Sequence, residues 1–215
     1  MAFGRVLYFL TVAAATLTVG WIATAPAQLG PRHGDKADKK GDGKKGEEIG
    51  RFEDRLERLR RQLGEPRPAD PERQVLLWNS GVYANNADRL WRAAQPYIAD
   101  RTLAAAEALF HASDHLRHLK ESLGPPPPPA EDVARHLARV YFRTREADDF
   151  LKEIHDNSAS PLVPLARQYY QRAVQSYDRS DLRGADEYGK TAEEIVRALE
   201  NLAQAATLAP QPRRP

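Results

Sequence analysis

The chain has 215 residues, enough for one helical domain of ordinary size plus extensions. Its 32 lysines and arginines nearly balance 30 aspartates and glutamates, so a net charge of +2 provides no concentrated positive field, and nucleic acid is not an expected partner. Cysteine is absent, which excludes disulfides, thiolate metal sites, a cysteine nucleophile and haem attached through cysteine.

At the N-terminus Arg5 precedes an uncharged run at 6–23, VLYFLTVAAATLTVGWIA, followed by Ala25-Pro26-Ala27. A basic flank, an apolar run and small residues at alternate positions read as a secretory signal over 1–27, cut after Ala27. The alternative is an uncleaved anchor through 6–23, a run close to the roughly 20 residues that span a bilayer. Either reading exports the chain to a periplasmic, cell-surface or membrane-anchored location.

Residues 28–46 are rich in Gly, Lys and Asp and nearly devoid of apolar side chains, the composition of a solvated, unfolded linker. In 47–64, Ile49, Phe52, Leu56, Leu59 and Leu63 step by 3, 4, 3 and 4, an a/d seam on a short amphipathic helix. So short a helix needs a partner. Its five apolar residues either pack on the chain's own domain or bind a second copy as a homo-oligomeric coiled coil. After Gly64, a turn or hinge over 65–70 with Pro66 and Pro68 follows.

The rest of the pattern is all-α. Asp70-Pro71 combines a capping side chain with proline at the first helical position. The first helix of the domain 71–208 carries a stripe of Leu76, Ser80, Tyr83, Ala87, Leu90, Ala94 and Tyr97, which Gly81 weakens and Pro96 kinks or ends. A second helix, from Asp100 to Ser122, buries Ala105, Leu109, Ala112, Leu116, Leu119 and Leu123. Gly124 then serves as a left-handed cap, and 125–129 as a stiff polyproline connector. The third, over 130–157, keeps 4-3 spacing through Val133, Leu137, Val140, Thr144, Ala147, Leu151 and Ile154. Two more helices, over 161–177 and 181–206, form a last hairpin, and 209–215 is a tail. The expectation is a bundle of about five helices behind the short amphipathic one. Trp78, Trp91, Tyr83, Tyr169 and Tyr170 either line a peptide groove or fill the core.

Residues 103–123 recur at 182–202. At an offset of 79, Leu103, Ala106, Glu107, Leu116, Glu121 and Leu123 fall over Leu182, Ala185, Asp186, Ile195, Glu200 and Leu202. With one residue inserted, RAAQPY at 92–97 falls over RAVQSY at 172–177. This unit of helix, Tyr, short turn and second helix resembles the antiparallel hairpin of tetratricopeptide repeats, although the copies are about 80 residues apart rather than 34. The resemblance implies TPR-like hairpins and a role in binding protein partners.

His111, His115 and His118 are spaced i, i+4, i+7 on one helix face, and the polyproline turn brings His136 level with His118. With Asp114 nearby, these four histidines are candidate ligands for a transition metal, or for haem. Against this, the three lie about 100–160° from the Leu116 seam, which places them on the solvent side as ordinary polar residues. At the repeated positions stand Lys190, Glu194 and Arg197. No Gly-rich phosphate loop, G-x-S-x-G or H-E-x-x-H is present, so no reaction is expected. The expected function is non-enzymatic: protein–protein interaction or structural support in the cell envelope, without a cofactor, the alternative being metal binding through the histidine face.

Overall fold

The computed structural model describes residues 41–65, 70–121, 126–154 and 159–209. The expected signal or anchor, residues 28–40, Leu123, Gly124, His155 and residues 210–215 lie outside them. Among the described residues six helices follow in order: α1 Gly41–Leu63, α2 Pro71–Arg92, α3 Pro96–Lys120, α4 Ala130–Glu153, α5 Leu162–Asp178 and α6 Leu182–Leu208. No strand occurs among the described residues, as the all-α pattern requires.

Two elements begin earlier than the periodicity indicated. α1 starts at Gly41, inside the segment expected to be unfolded. Once the Phe52/Leu56/Leu59 seam is packed, adding helical residues upstream costs less than nucleating a helix does. α3 starts at Pro96 rather than after Asp100, since proline at a first helical position lacks only an N–H that would have had no partner there. Tyr97 therefore opens α3 and is 74% exposed, instead of closing the α2 stripe.

The centre of the bundle is the pair α3 and α6. α2 packs on α3, α5 on α6, α4 across α5 and α6, and α1 on α2 and α3. Small residues set these distances. Ala99, Ala105, Ala106, Ala108 and Ala112 of α3 are buried, with Leu103, Leu109 and Leu116 fully enclosed; α6 contributes Ala185, Ala192, Ala198, Ile195 and Leu199. Interhelical separation falls with side-chain size, so alanine seams bring backbones together. Fully buried Ser80 shows how closely: its Oγ donates to the Ala106 carbonyl across the α2–α3 contact at 2.7 Å. Gly189 serves α4 and α6 in the same way, because a Cβ there would stand 3.2 Å from Leu137 Cδ2 and 3.4 Å from His136 Cε1.

The two hairpins, α2–α3 and α5–α6, turn by the same device. Ala94 and Ser180 have φ of 56° and 62°, in the left-handed region. The N–H of the next residue reaches back across the helix end in each, Gln95 to the Leu90 carbonyl at 3.0 Å and Asp181 to the Ser176 carbonyl at 2.9 Å. This six-residue closure usually has glycine at the left-handed position. The matching turns lie 86 residues apart, not 79. Tyr97 stands after its turn and Tyr177 before its own, so the 92–97 and 172–177 segments are not structurally equivalent.

α1 lies on the domain. Phe52, Leu56 and Leu59 are buried in the common core, and Leu63 packs against it; the Ile49 side chain lies outside the described residues. Phe52 stacks on Trp91 at 4.2 Å, and Arg55 holds Glu107 with two hydrogen bonds, at 3.0 and 2.6 Å, and Asp100 with a third. The seam that could have served a second copy is filled from within the chain.

Two substitutions of opposite chemistry should both stabilise. A Cβ at Gly81, inside α2, meets nothing within 4 Å, so Gly81→Ala should add about 0.5–1 kcal/mol by removing unfolded-state freedom. Ala94→Gly should add up to about 1 kcal/mol by relieving a left-handed alanine. Denaturant unfolding of each variant measures both; an Ala94→Gly chain less stable than its parent would contradict the turn geometry.

Candidate functional site

α3 is central, so its flank 100–160° from Leu116 does not face open water. It faces α6. His115 is only 23% exposed, and its Nδ1 lies 2.9 Å from Glu187 Oε2, a carboxylate 12% exposed. His118 is half-buried one turn on, with its ring edge-to-face against that of His115 at a centroid distance of 6.3 Å. Its Nε2 is 3.4 Å from Asp114 Oδ2, and Arg117 holds the other oxygen of Asp114. Lys190 sits between Asp186, at 2.6 Å, and Glu187, at 3.6 Å. The solvent-side expectation survives only for His111, which is exposed.

His115, His118 and Glu187 each offer a ligand atom, and these atoms lie within 4.8 Å of one another. His111 and His136 do not belong to this group. Glu187, which completes it, stands on α6 and was not among the sequence candidates. Its signal was nevertheless present: Glu187 and Glu194 are seven residues apart, as are His111 and His118, so two helices can oppose matching faces.

Glu194 lies on that same face of α6. Burial raises its pKa, against the pull of Arg197, His111 and His115. Its Oε1 accepts from Arg197 at 2.7 Å, whereas Oε2 is buried without a hydrogen-bond partner. Glu194 is thus partly buried on this face, whereas Lys190 and Arg197 pair with acids of α6 itself and Arg197 is exposed. Burial pushes the Glu187 carboxyl up, but its hydrogen bond with His115 and the charge of Lys190 outweigh this and hold it below its ordinary value.

His136 belongs to a different pairing, between α4 and α6. Its Nδ1 is 3.6 Å from Asp186 Oδ1, its Nε2 is 3.1 Å from Glu193 Oε2, and the ring is 12% exposed. Asp186 and Glu193 raise its pKa to about 9 against the opposing effect of burial. Both ring nitrogens thus face carboxylates, which favour the protonated imidazolium at neutral pH. His136 also holds Glu193 down to about 2, aided by Arg139 and Arg143. Its two contacts clamp α4 to α6.

A cleft of about 290 Å³ between α1 and α2 is lined by Phe52, Leu56, Trp91, Asp88 and Arg60 among others, and Asp88 is already paired with Arg60 and Arg92. No protein-family model, curated protein or solved structure matches the chain. No described helix is long and apolar enough to cross a membrane, and 6–23 lies outside the described residues.

The His136 clamp predicts a pH profile. Its folded pKa lies above the unfolded 6.5, so its stabilisation is full below pH 6.5 and lost as pH rises through about 9. Glu193 works in the opposite sense: its contribution is full above 4.5 and lost as pH falls towards 2. Stability should therefore be highest between these limits. His136→Gln should lower it by about 2–3 kcal/mol at pH 6 and flatten the alkaline limb. Urea unfolding at a series of pH values checks this; an unchanged alkaline limb in the variant would contradict the clamp.

Proposed function

We propose that the chain is an exported, non-catalytic helical scaffold that binds another protein of the cell envelope through the outer face of α2. One observation carries this reading. Residues 74–87, QVLLWNSGVYANNA, hold no charged side chain, in a chain where 29% of residues are charged. Leu76, Ser80, Tyr83, Ala84 and Ala87 of that stretch face the core. Val75, Trp78 and Val82 point outwards with exposures of 49%, 62% and 39%. Depletion of charge around an exposed tryptophan is the composition of a contact centre rather than of a solvated helix face. An uncharged ribbon is complementary to a partner that presents an equally uncharged, apolar surface.

The remaining support is indirect. Ion pairs between helices, such as Arg172–Glu72 and Arg143–Glu200, engage many of the charged side chains elsewhere. The N-terminal pattern at 1–27 supports export. Trp78, one of the aromatics open to either a groove or a core role, is thus the residue on which the interaction reading stands. Tyr83 and Tyr169 are core, and Trp91 is covered by Phe52.

A photo-crosslinking amino acid placed at Val75 in the source cell tests it, with the same group at exposed Glu146 on α4 as control. The expected result is one adduct with another protein, formed from position 75 and not from 146, and lost when Trp78→Asp is added to a chain that keeps its helical circular dichroism. Equal adducts from both positions, or an adduct only with a second copy of the chain, would overturn the reading.

A further inference from the structure

We propose that His115, His118 and Glu187 form a binding site for a borderline divalent cation, of which Zn²⁺ is the representative, and that the ion fastens α3 to α6. The ligand atoms already converge within 4.8 Å without an ion between them. Four-coordinate Zn²⁺ places its ligands about 2.0–2.2 Å from the metal, so the three groups need to close in by only an ångström or so. Two imidazoles and one carboxylate form a nitrogen–oxygen set that favours Zn²⁺, Co²⁺, Ni²⁺ or Cu²⁺ over Mg²⁺ or Ca²⁺.

Three neighbouring features fit an ion there. The site is half-buried, its side chains 12–32% exposed, so an ion can enter while water fills a fourth position. Lys190 is the cation now beside Glu187, but it lies closer to Asp186, at 2.6 Å against 3.6 Å, and can keep that partner when the ion takes Glu187. Asp114 lies beside His118 and can accept a ring N–H, an arrangement that orients a ligand histidine. Binding exchanges the present His115–Glu187 hydrogen bond for two metal bonds, and the ion displaces any proton held on the ligating nitrogens. The site draws on both helices, so it cannot form unless the two hairpins are together.

The test uses untagged mature chain freed of metal by chelator and then of chelator. Titration calorimetry with Zn²⁺, and the visible absorption of added Co²⁺, should show one ion per chain in a low-coordinate site. His118→Asn and Glu187→Gln, which nearly preserve side-chain shape, should each weaken binding at least about ten-fold. His111→Asn should leave it unchanged. Zn²⁺ should raise the unfolding midpoint of the parent and of His111→Asn, but not that of Glu187→Gln. The proposal is overturned if no ion binds, if the Glu187→Gln chain binds as the parent does, or if His111→Asn weakens binding as much as His118→Asn.

Discussion

The close contact between α3 and α6 is the constraint on which the rest of the molecule depends. Both helices are enclosed on more than one side, and both reach this by replacing large side chains with alanine where backbones must approach. Ala105, Ala106, Ala108 and Ala112 on one helix, and Ala185, Ala192 and Ala198 on the other, contribute little apolar area each. What they permit is that Leu103, Leu109, Leu116, Ile195 and Leu199 be fully enclosed, at about 1.5–3 kcal/mol apiece. α2 and α5 then close the outer flanks, and Arg172 joins them by pairing with Glu72.

A central pair of helices also decides what happens to charge. Many side chains just off the apolar seam reach bulk water only in part, so they pair with one another. The acidic face of α6 meets this need from two directions. His115 of α3 takes Glu187, and His136 of α4 takes Asp186 and Glu193. Neighbouring residues on a helix point about 100° apart, which is why adjacent Asp186 and Glu187 serve different partner helices. The two histidines differ in chemistry as a result. His136 lies between two carboxylates that favour its protonated form, whereas His115 has one carboxylate and a second imidazole beside it.

Much of the fold was legible because the periodic apolar pattern is strong. The seam positions of α3, α4 and α6, the Asp70-Pro71 start and the role of Pro96 as a boundary all follow from local chemistry. Register between the copies did not. The 79-residue offset and the 86-residue spacing of the two turns differ by seven residues, two turns of helix, so both lay apolar positions over apolar positions. A heptad-like pattern hides such slips, and non-glycine residues in the left-handed turns hid them further, because Ala94 and Ser180 carry no sequence signal. Angles taken from the Leu116 seam alone put the histidine face outward, whereas α3 has a second contact surface towards α6. Glu187 was missed for the same reason. The apolar seam of 47–63 was visible at once, but a seam alone does not say whether its partner is intramolecular; stacking of Phe52 on Trp91 answers that for the described residues.

The shared burial of α3 and α6 is most directly tested by native-state hydrogen exchange read by peptide mass spectrometry on the chain at neutral pH. If their contact holds the bundle together, backbone amides of both helices will form one slowest class and exchange with the free energy of global unfolding, while α1 and the ends of α4 open earlier. Separate opening of α5–α6 at a markedly lower free energy than α2–α3 would show that the hairpins are independent units and contradict the central role of that contact.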